Sequence, residues 1–436
     1  MGGCVRDYYL QIPCKDYDIE IYAISDLHVL EDILSKYGKL VFAGKSFGVL
    51  KLSCDCYDFD FALPRTEKKI SKGHQGFEII SNGHLEFKQA AIRRDFTVNA
   101  LGYDYETKEM LDPFNGKKDL ENKILKHIDD KTFVEDPLRV YRAIQFCARF
   151  ELTLDKQTFL LCEDMVLKNQ LEELAKERIF EELKKLLLKA KQPSLGFELL
   201  KNLGILKYYH QLEALVGCLQ DEEYHPEGDV WVHTLMCLDE MAKLKSEDEY
   251  KNLYLMLAVL CHDFGKPHTS KIIKGRITSH NHEKEGVAPT VEFLSSLCNE
   301  KKLIEKVVPL VQYHLAPFQL YLQNSSLKAI KRLAAKVNIE ELCTVALADC
   351  KGRTIPNKDK CDKAVIWLLS NAKELNVHNQ KLEALVQGRD LISLGLSPGP
   401  KFSEILEFAY ELQIENNILE QNEILFYIKQ KYITSI

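Results

Sequence analysis

The sequence has no apolar run long enough to cross a membrane, and its N-terminus opens as MGGCVRD without the apolar core of a signal peptide. An N-terminal acylation signal is also excluded, because Arg6 stands where such a signal needs Ser or Thr. We therefore expect a cytoplasmic protein with no membrane partner.

Paired cysteines are missing as well. The 13 cysteines are scattered and no C-x-x-C pair occurs, so we expect reduced thiols rather than a zinc ribbon or a secreted disulfide framework. Internal repeats and low-complexity tracts are absent too. The net charge of −7 argues against indiscriminate nucleic-acid binding, although local basic patches can still contact phosphates.

What the sequence does contain is a change of pattern along its length. Strand-like runs occur only in the N-terminal part, at 18–22, 40–43, 57–62 and 101–103, with a Gly-rich loop predicted at 72–76. From about residue 128 the periodicity becomes helical, as at 136–150 and 170–191. The predicted fold class is α+β, a small N-terminal sheet domain followed by a long all-helical region. We place domains at 1–127, 128–200, 201–355 and 356–436.

Two acids open the first of these strands. Asp16 and Asp18 are two residues apart, so on a strand they point to the same side. Asp60 lies on a second strand, which as a neighbour would bring a third carboxylate to the same place. Carboxylates on adjacent strands are the ligands that Mg²⁺-assisted phosphoryl transfer requires. Taken alone, the short D-x-D pattern is more often a pair of solvated acids.

A pair of glycines precedes the acids. Gly2 and Gly3 lie before a predicted helix, where backbone N–H groups and the helix N-terminus can approach a phosphate. Arg6 can bind a triphosphate through two parallel hydrogen bonds. An ordinary glycine turn is the alternative, and the pair alone is weak evidence.

Together these motifs resemble the signature of the polymerase-β-like tRNA nucleotidyltransferase and poly(A) polymerase family. The resemblance begins with Gly2-Gly3-x-x-Arg6-Asp7 followed by Asp16-x-Asp18. Further segments follow in the family's order: DFALPRTE at 60–67, RRDFTVNA at 93–100, DPFNG at 112–116, EDPLRVYR at 135–142 and ERI at 177–179. The resemblance covers about residues 1–355 and is greatest to bacterial tRNA-adding enzymes with an HD domain.

The resemblance implies a polymerase-β-like nucleotidyltransferase head that adds C, C and A to the 3′ end of tRNA. CTP and ATP would be the substrates, Mg²⁺ the cofactor and pyrophosphate the second product. Asp16 and Asp18 would hold Mg²⁺, with Asp60 as the third catalytic carboxylate. Arg94 would reach the triphosphate, and Asp95 would orient it or hold the sugar, unless Asp95 is simply an acid at a helix N-terminus.

In this family, protein side chains select the base without a nucleic-acid template. Asp136 and Arg139 are three residues apart, hence on one helical face, and Arg142 continues that face. A carboxylate accepts a hydrogen bond from the exocyclic amine of cytosine or adenine and repels the carbonyl of guanine or uracil. The alternative is a surface Asp–Arg pair. Gln145 departs from the pattern, since close relatives tend to have another Arg there.

The histidines further along carry a second motif. His233, His262-Asp263 and Asp349 occur in the H…HD…D order of HD-domain phosphohydrolases, with His282 and His314 as additional candidates. The resemblance implies a divalent metal such as Ni²⁺, Mn²⁺ or Mg²⁺ and phosphatase, 2′-nucleotidase or 2′,3′-cyclic phosphodiesterase activity. A single buried histidine is more often a hydrogen-bonded core residue, but four ligands in this order favour a metal site. Relatives usually have an acid where this chain has Leu315.

Several alternatives stay open. Enzymes that add only CC or only A, and poly(A) polymerases, share the head motifs. An HD metal phosphohydrolase whose head only binds RNA is an alternative of another class. A third is a non-catalytic RNA-binding protein, against which the retained Asp16 and Asp18 argue. We expect tRNA, CTP and ATP as partners, and either a monomer or a homodimer.

Overall fold

The computed structural model describes residues 1–43, 49–69, 77–355, 359–416 and 418–433, so the loop predicted at 72–76 lies outside the described residues. The chain divides into two compact units. The first contains residues 1–210 with 296–298, and the second contains 211–295 with 299–436. The four-domain division inferred from the sequence is finer than this and stays a prediction.

A four-stranded sheet dominates the start of the first unit, in the order β1-β4-β3-β2. Its strands are β1 (Asp16–Glu20), β2 (Lys39–Ala43), β3 (Val49–Cys54) and β4 (Tyr57–Ala62). β1 runs parallel to β4, whereas β2, β3 and β4 are antiparallel neighbours. Along β3, Leu50 and Leu52 are buried while Lys51 and Ser53 are exposed, as the period of two requires. The sheet therefore has one face on the core and one face open to solvent.

Three short strand pairs accompany this sheet. They are β5 (Arg65–Lys69) with β6 (Phe77–Ser81), β7 (Gly102–Tyr103) with β8 (Met110–Leu111), and β9 (Ile124–Leu125) with β10 (Thr153–Leu154).

The helices of the first unit carry most of its buried apolar side chains. They are α1 (Gly3–Tyr9), α2 (Glu31–Leu34), α3 (Phe87–Ala91), α4 (Gly116–Glu121), α5 (Asp130–Phe133), α6 (Leu138–Phe150), α7 (Lys156–Leu167), α8 (Lys176–Lys189) and α9 (Pro193–Asn202). Short 3-10 turns occur at Leu27–Leu30, Thr97–Asn99, Gln170–Glu173 and Ile205–Tyr208.

Two of these helices test the periodicity argument. The helix predicted at 136–150 is confirmed as α6, and the apolar residues at its helical spacing are all buried. The single helix predicted at 170–191 is wrong at its start. A 3-10 turn at Gln170–Glu173 comes first, and the extended backbone of Leu174 and Ala175 separates it from α8.

The second unit is mainly helical, as predicted, with the addition of a small hairpin of β11 (Lys271–Ile273) and β12 (Arg276–Thr278). Its helices are α10 (His210–Glu213), α11 (Val230–Lys243), α12 (Glu249–Cys261), α13 (Lys266–Thr269), α14 (His282–Glu285), α15 (Val287–Leu297), α16 (Lys301–Tyr313), α17 (Ala316–Leu322), α18 (Leu327–Ala334), α19 (Ile339–Lys351), α20 (Asp359–Glu374), α21 (Gly388–Ser393), α22 (Lys401–Asn416) and α23 (Gln421–Ile428), with a π-helical turn at Lys429–Ile433.

Helix α12 forms the centre of the second unit. Every residue from Leu253 to Cys261 is buried, and the helix packs against α11, α16 and α19. A helix that is apolar on all sides is stable only inside a core, where it has no solvent-facing side. Because α12 ends at Cys261, it carries His262 and Asp263 directly at its C-terminal end.

The cysteines depart from expectation at one point. Cys350 of α19 and Cys361 of α20 form a disulfide, with Cα atoms 6.0 Å apart. The expectation of reduced thiols is therefore wrong for this pair, although the other cysteines are free.

None of the described helices combines the length and the hydropathy that a membrane span requires.

The last helices form a small core of their own. Its buried members come from α21, α22, α23 and the segments beside them: Val386, Leu391, Ile405, Ala409, Ile418, Ile424 and Ile428. The family resemblance implies that this C-terminal segment contacts tRNA, and this stays a prediction.

Candidate functional site

The parallel pairing of β1 with β4 brings the predicted head carboxylates side by side. In this register Asp18 is the partner of Asp60, and Asp16 is the partner of Asp58. Because side chains alternate along a strand, all four point to one face of the sheet. It is the open face, since Asp16, Asp18 and Asp58 are exposed. Asp58 is not among the predicted residues, although its spacing from Asp60 repeats the D-x-D pattern.

Lys51 is a second residue that the sequence did not single out here. It lies opposite Asp60 on β3, and its Nζ is 2.7 Å from Asp60 Oδ2. This hydrogen bond raises the pKa of Lys51. The Lys51 ammonium group is thus already paired with Asp60, the third predicted carboxylate. Asp16 and Asp18 have no cationic partner among the described contacts.

The open face suits an oxygen-ligated ion. Carboxylates are the donors that Mg²⁺ prefers, and these acids are accessible to a triphosphate. Among the described residues these acids do not form a compact ligand cluster. Groups of three or more His, Cys, Asp or Glu whose ligand atoms all lie within 4.8 Å of one another occur only in the second unit. The chemistry of Asp16, Asp18 and Asp60 suits a divalent cation, and their catalytic role stays a prediction.

The glycine pair lies beside these strands. The backbone nitrogen of Met1 is 2.6 Å from the carbonyl oxygen of Asp18, which places the start of α1 next to β1. Gly2 has a φ of 70°, a left-handed conformation that strains residues with a Cβ and that glycine adopts freely. Gly3 is the first residue of α1.

Arg6 is more buried than we expect of a side chain that is free to bind a triphosphate. It is 3% exposed and donates to Asp7 Oδ1 through Nε at 2.8 Å and to Asn99 Oδ1 through Nη1. Its guanidinium also lies 4.3 Å from the centre of the Phe150 ring. These contacts stabilise the packing of α1, and the predicted triphosphate contact of Arg6 stays a prediction.

Asp95 links the head to α6. Its carboxylate accepts hydrogen bonds from Arg142 Nε at 2.7 Å and from Asn99 Nδ2 at 2.9 Å. Burial opposes its ionisation, but the charge of Arg142 and the hydrogen bond from Asn99 outweigh burial, so the pKa of Asp95 is lowered. Arg94, the residue before Asp95, donates from Nη1 to the Asn99 carbonyl at 3.1 Å.

Asp95→Asn should therefore destabilise the protein at neutral pH. A lowered folded-state pKa contributes stability above the unfolded pKa, about 3.9, and this stability is lost as the pH falls through the folded value. Loss of the charge leaves Arg142 poorly paired at a cost of about 2 kcal/mol, less than for a fully buried pair. Urea unfolding should show this difference at pH 7 and a smaller one below about pH 4. Asp32→Asn, at an exposed acid of α2, is the control. An equal difference at both pH values would contradict the assignment.

Asp136 lies two residues before α6 begins, so the prediction that it shares a helical face with Arg139 is wrong, and the two do not pair with each other in the described contacts. Asp136 accepts from Leu138 N at 3.1 Å and lies 3.3 Å from Arg178 Nη2. Arg139 donates to the carbonyl oxygens of Thr132 and Arg93, both at 2.6 Å. The alternative of a simple Asp136–Arg139 ion pair is therefore not what the structure forms.

Gln145 occupies the same helix. It is 2% exposed, and its side-chain oxygen has no hydrogen-bond partner. Where close relatives tend to have an Arg, this chain thus has a buried neutral amide whose oxygen lacks a hydrogen-bond partner among the described residues.

The histidine motif assembles inside the second unit. His233 comes from α11, His262 and Asp263 follow α12, and Asp349 comes from α19. His233 Nε2 is 3.1 Å from Asp349 Oδ1, and His262 Nε2 is 3.2 Å from Asp263 Oδ2. None of the four is more than 2% exposed. The structure thus brings together all four predicted ligands.

These residues fit a metal ion by their unmet hydrogen-bonding capacity. His262 Nδ1 donates to the Val259 carbonyl at 2.7 Å, which leaves Nε2 as the nitrogen with the lone pair. That Nε2 is buried without a hydrogen-bond partner among the described residues, as is Asp263 Oδ1, whereas Asp263 Oδ2 lies 2.7 Å from Lys266 Nζ. Buried lone pairs without donors are costly, and a divalent cation would satisfy them together.

Glu227 is a positioning residue that the sequence analysis missed. Its Oε1 is 2.8 Å from His233 Nδ1 and 2.9 Å from His225 Nδ1. A carboxylate behind a histidine fixes the ring so that Nε2 faces the metal. Burial lowers the pKa of His225 to about 4. The contact joins the loop before α11 to that helix, and no spacing pattern predicts it.

A cavity of about 240 Å³ opens beside these ligands. Lys266 and Arg353 line it, with Lys266 Nζ 2.7 Å from Asp263 Oδ2 and Arg353 Nη2 3.0 Å from Asp349 Oδ1. Burial opposes the ionisation of Asp349, but the Arg353 guanidinium holds the pKa of that carboxyl well below its usual range. The cavity therefore offers two cations to an anionic ligand next to the metal-binding residues.

Comparisons with known proteins agree with this arrangement. Three families match in order along the chain: the Poly A polymerase head domain over residues 1–126, the probable RNA and SrmB-binding site of polymerase A over 151–214, and the HD domain over 230–351.

Whole-length relatives match as well. The multifunctional CCA protein of Mannheimia succiniciproducens is 34% identical over 372 residues, covering 81% of this chain and 84% of the relative. That of Teredinibacter turnerae is 29% identical over 425 residues, covering 95% and 96%.

Solved structures share the fold. The CCA-adding enzyme of Bacillus stearothermophilus in complex with CTP gives a TM-score of 0.66 at 18% identity, covering 100% of this chain and 93% of that one. The Thermotoga maritima CCA-adding enzyme complexed with tRNA gives 0.55 at 20% identity, covering 98% and 90%. The predicted fold class, a polymerase head with a small sheet followed by a helical region with an HD domain, is confirmed. With a relative 34% identical over four-fifths of its length, the chain belongs to the multifunctional CCA protein family.

Proposed function

We propose that the protein is a nucleotidyltransferase that adds C, C and A to the 3′ end of tRNA from CTP and ATP, with release of pyrophosphate. The observation that carries this proposal is the parallel register of β1 and β4, which places Asp18 beside Asp60 on the open face of the sheet. The named relatives and structural neighbours are CCA proteins and CCA-adding enzymes, which supports the same activity.

The residues of the open face divide the work. Asp16 and Asp18 hold the divalent cation, and Asp60 joins them when its carboxylate leaves Lys51 Nζ, 2.7 Å away. Mg²⁺, when bound, neutralises charge on the triphosphate and favours ionisation of the attacking hydroxyl. Because the face is exposed, both the tRNA 3′ end and the triphosphate can reach it.

The start of α6 reads the base. Asp136 accepts from the exocyclic amine of cytosine or adenine, and Arg139 donates to the neighbouring ring acceptor. The two backbone carbonyls that hold Arg139 fix the plane of its guanidinium before the nucleotide arrives. Arg142, held by Asp95, lies one turn further along the same face.

Arg139→Ala should lower kcat/KM for both CTP and ATP and reduce discrimination against UTP. A hydrogen bond to a charged group contributes about 1.5–3 kcal/mol, which corresponds to about 10- to 160-fold. Steady-state kinetics with the four nucleotides measures this, and Lys131→Ala, an exposed cation of α5, is the control. A uniform loss with unchanged discrimination would show that Arg139 only stabilises the fold.

The reaction itself is tested with three RNA substrates and each labelled nucleotide given separately. CTP should extend tRNA lacking CCA by two residues, and ATP should extend tRNA ending in CC by one. Addition of C without A would indicate a CC-adding enzyme, and addition of A alone the A-adding one. Incorporation of A onto an unrelated RNA would indicate a poly(A) polymerase and contradict the proposal.

A second activity is favoured by the buried His262 Nε2 and Asp263 Oδ1, which have no hydrogen-bond partner among the described residues. We propose that the HD site hydrolyses a phosphate ester. Lys266 and Arg353, which line the adjoining cavity, would bind the phosphate oxygens. A 3′-terminal phosphate, a 2′-nucleotide and a 2′,3′-cyclic phosphate, assayed separately, distinguish the phosphatase, 2′-nucleotidase and cyclic phosphodiesterase activities. No turnover of any of them with Ni²⁺, Mn²⁺ or Mg²⁺ would contradict it.

A further inference from the structure

The cavity beside the HD ligands has a second kind of wall. Besides its charged groups and the buried rings of His282 and His314, it is lined by Tyr224, Ile277 and Leu315. Ile277 and Leu315 are partly buried, whereas Tyr224 is exposed. Metal binding and phosphate binding account for the charged wall, but neither requires an aromatic ring and two aliphatic side chains. A phosphate ester with a flat, apolar group at some distance from its phosphate would use both walls.

Tyr224 is held in place by Arg276, the first residue of β12. The guanidinium carbon of Arg276 lies 5.4 Å from the centre of the Tyr224 ring, within the range of a cation–π contact. Arg276 is itself fixed, since its Nε is 3.1 Å from Asp221 Oδ2 and its Nη2 contacts Glu223 Oε2. The ring is therefore positioned before a ligand arrives, which reduces the entropy lost on binding.

The chain places Tyr224 close to the metal-binding residues. Tyr224 precedes His225, whose ring centre lies 4.6 Å from that of His233, and consecutive Cα atoms are only about 3.8 Å apart. Lys266 Nζ also reaches this segment, because it donates to Gln220 Oε1 at 2.6 Å. A flat group on the Tyr224 ring and a phosphate on Lys266 can therefore belong to one small ligand.

We propose that the cavity binds a nucleoside phosphate, with the nucleobase stacked on the Tyr224 ring. Ile277 and Leu315 contact the base, and the phosphate binds to the cations beside the metal ligands. This inference rests on the HD hydrolase activity proposed above and names its substrate class, a phosphate ester of a nucleoside that is either free or at the end of an RNA. Every base has a π-face, so stacking on an aromatic ring accepts cytosine and adenine alike.

Hydrolysis kinetics of the full-length protein test the base contact with two substrates that differ only in the base. Adenosine 2′-phosphate has it, and methyl riboside 2′-phosphate has a methoxy group in its place. Tyr224→Ala should raise KM for the adenosine compound by about 5- to 160-fold, because stacking is lost, and should leave kcat within about two-fold. KM for the methyl riboside should not change. Tyr224→Phe, which keeps the ring, should retain the low KM, and Tyr250→Ala, at an exposed tyrosine of α12 that does not line this cavity, is the control.

Arg276→Ala tests the positioning of the ring. KM for adenosine 2′-phosphate should rise by less than in Tyr224→Ala, with kcat unchanged, whereas Lys271→Ala, at an exposed cation of the same hairpin, should leave KM unchanged. The same variants are assayed on tRNA that ends in a 2′,3′-cyclic phosphate. A rise in KM there as well would show that RNA ends use the ring, and a rise confined to the free nucleotide would assign the ring to free nucleotides.

The inference and the HD activity fail in different ways. Equal KM values for the two substrates in the unmodified protein, or a KM that Tyr224→Ala leaves unchanged, would overturn the nucleobase contact while the hydrolase stands. If neither substrate is hydrolysed with Ni²⁺, Mn²⁺ or Mg²⁺, the proposed activity fails, and calorimetric titration with adenosine 2′-phosphate decides the contact. Tyr224→Ala should then weaken binding that Tyr250→Ala leaves intact, and identical titrations would overturn the contact. If circular dichroism shows that Tyr224→Ala is unfolded, Tyr224→Leu replaces it with the same expected result.

Discussion

Asp18→Ala should abolish nucleotide addition without unfolding the protein. Asp18 is exposed and stands beside Asp60 in the parallel register, so its removal leaves the sheet intact but takes a central oxygen ligand from the open face. Charge stabilisation by a bound metal contributes several kcal/mol to phosphoryl transfer, so kcat/KM should fall by at least about 10³-fold.

Incorporation of labelled CTP into tRNA lacking CCA measures the effect. Asp32→Ala, which removes an exposed acid from α2, should retain full activity and is the matched control. Circular dichroism checks that Asp18→Ala has kept its fold. A variant that is folded and fully active would show that the head carboxylates are solvated acids, and the nucleotidyltransferase mechanism proposed for them would be wrong.

His262→Ala should have the opposite selectivity. It removes a buried nitrogen that has no hydrogen-bond partner within the protein, so phosphate-ester hydrolysis by the HD site should fall by at least about 10³-fold. CCA addition should remain within about two-fold, because the head carboxylates belong to the other unit.

The two variants together separate the classes of function left open by the sequence. Both activities are measured on the same preparations, with Ni²⁺, Mn²⁺ or Mg²⁺ for hydrolysis. His280→Ala, an exposed histidine outside the ligand groups, is the control for His262→Ala. If Asp18→Ala left the main activity intact while His262→Ala removed it, the protein would be an HD phosphohydrolase with an RNA-binding head.

In the head, local spacing predicted only those features that depend on a single strand. The period of two correctly placed Asp16 and Asp18 on one face, and Asp60 on a strand of its own. The ion pair of Lys51 with Asp60 could not be predicted from the sequence, because it depends on which strands become neighbours and in which register they pair. A parallel pair separated by about 40 residues leaves no local trace of its alignment.

The helical half shows the same limit. The order of His233, His262-Asp263 and Asp349, read through the family resemblance, identified side chains that do lie together, and their role as metal ligands stays a prediction. The support of His233 by Glu227 was not predicted, because it depends on how the loop before α11 folds back onto that helix. The ring orientations of His282 and His314 depend on which backbone carbonyl oxygen each ring contacts, and the sequence does not reveal those contacts.

Helix α12 limits how the HD site can be altered. Its residues from Leu253 to Cys261 are all interior, so the pair at its end is carried by a segment on which no position is free to vary. Substitutions along it would be felt as loss of packing before they changed metal preference.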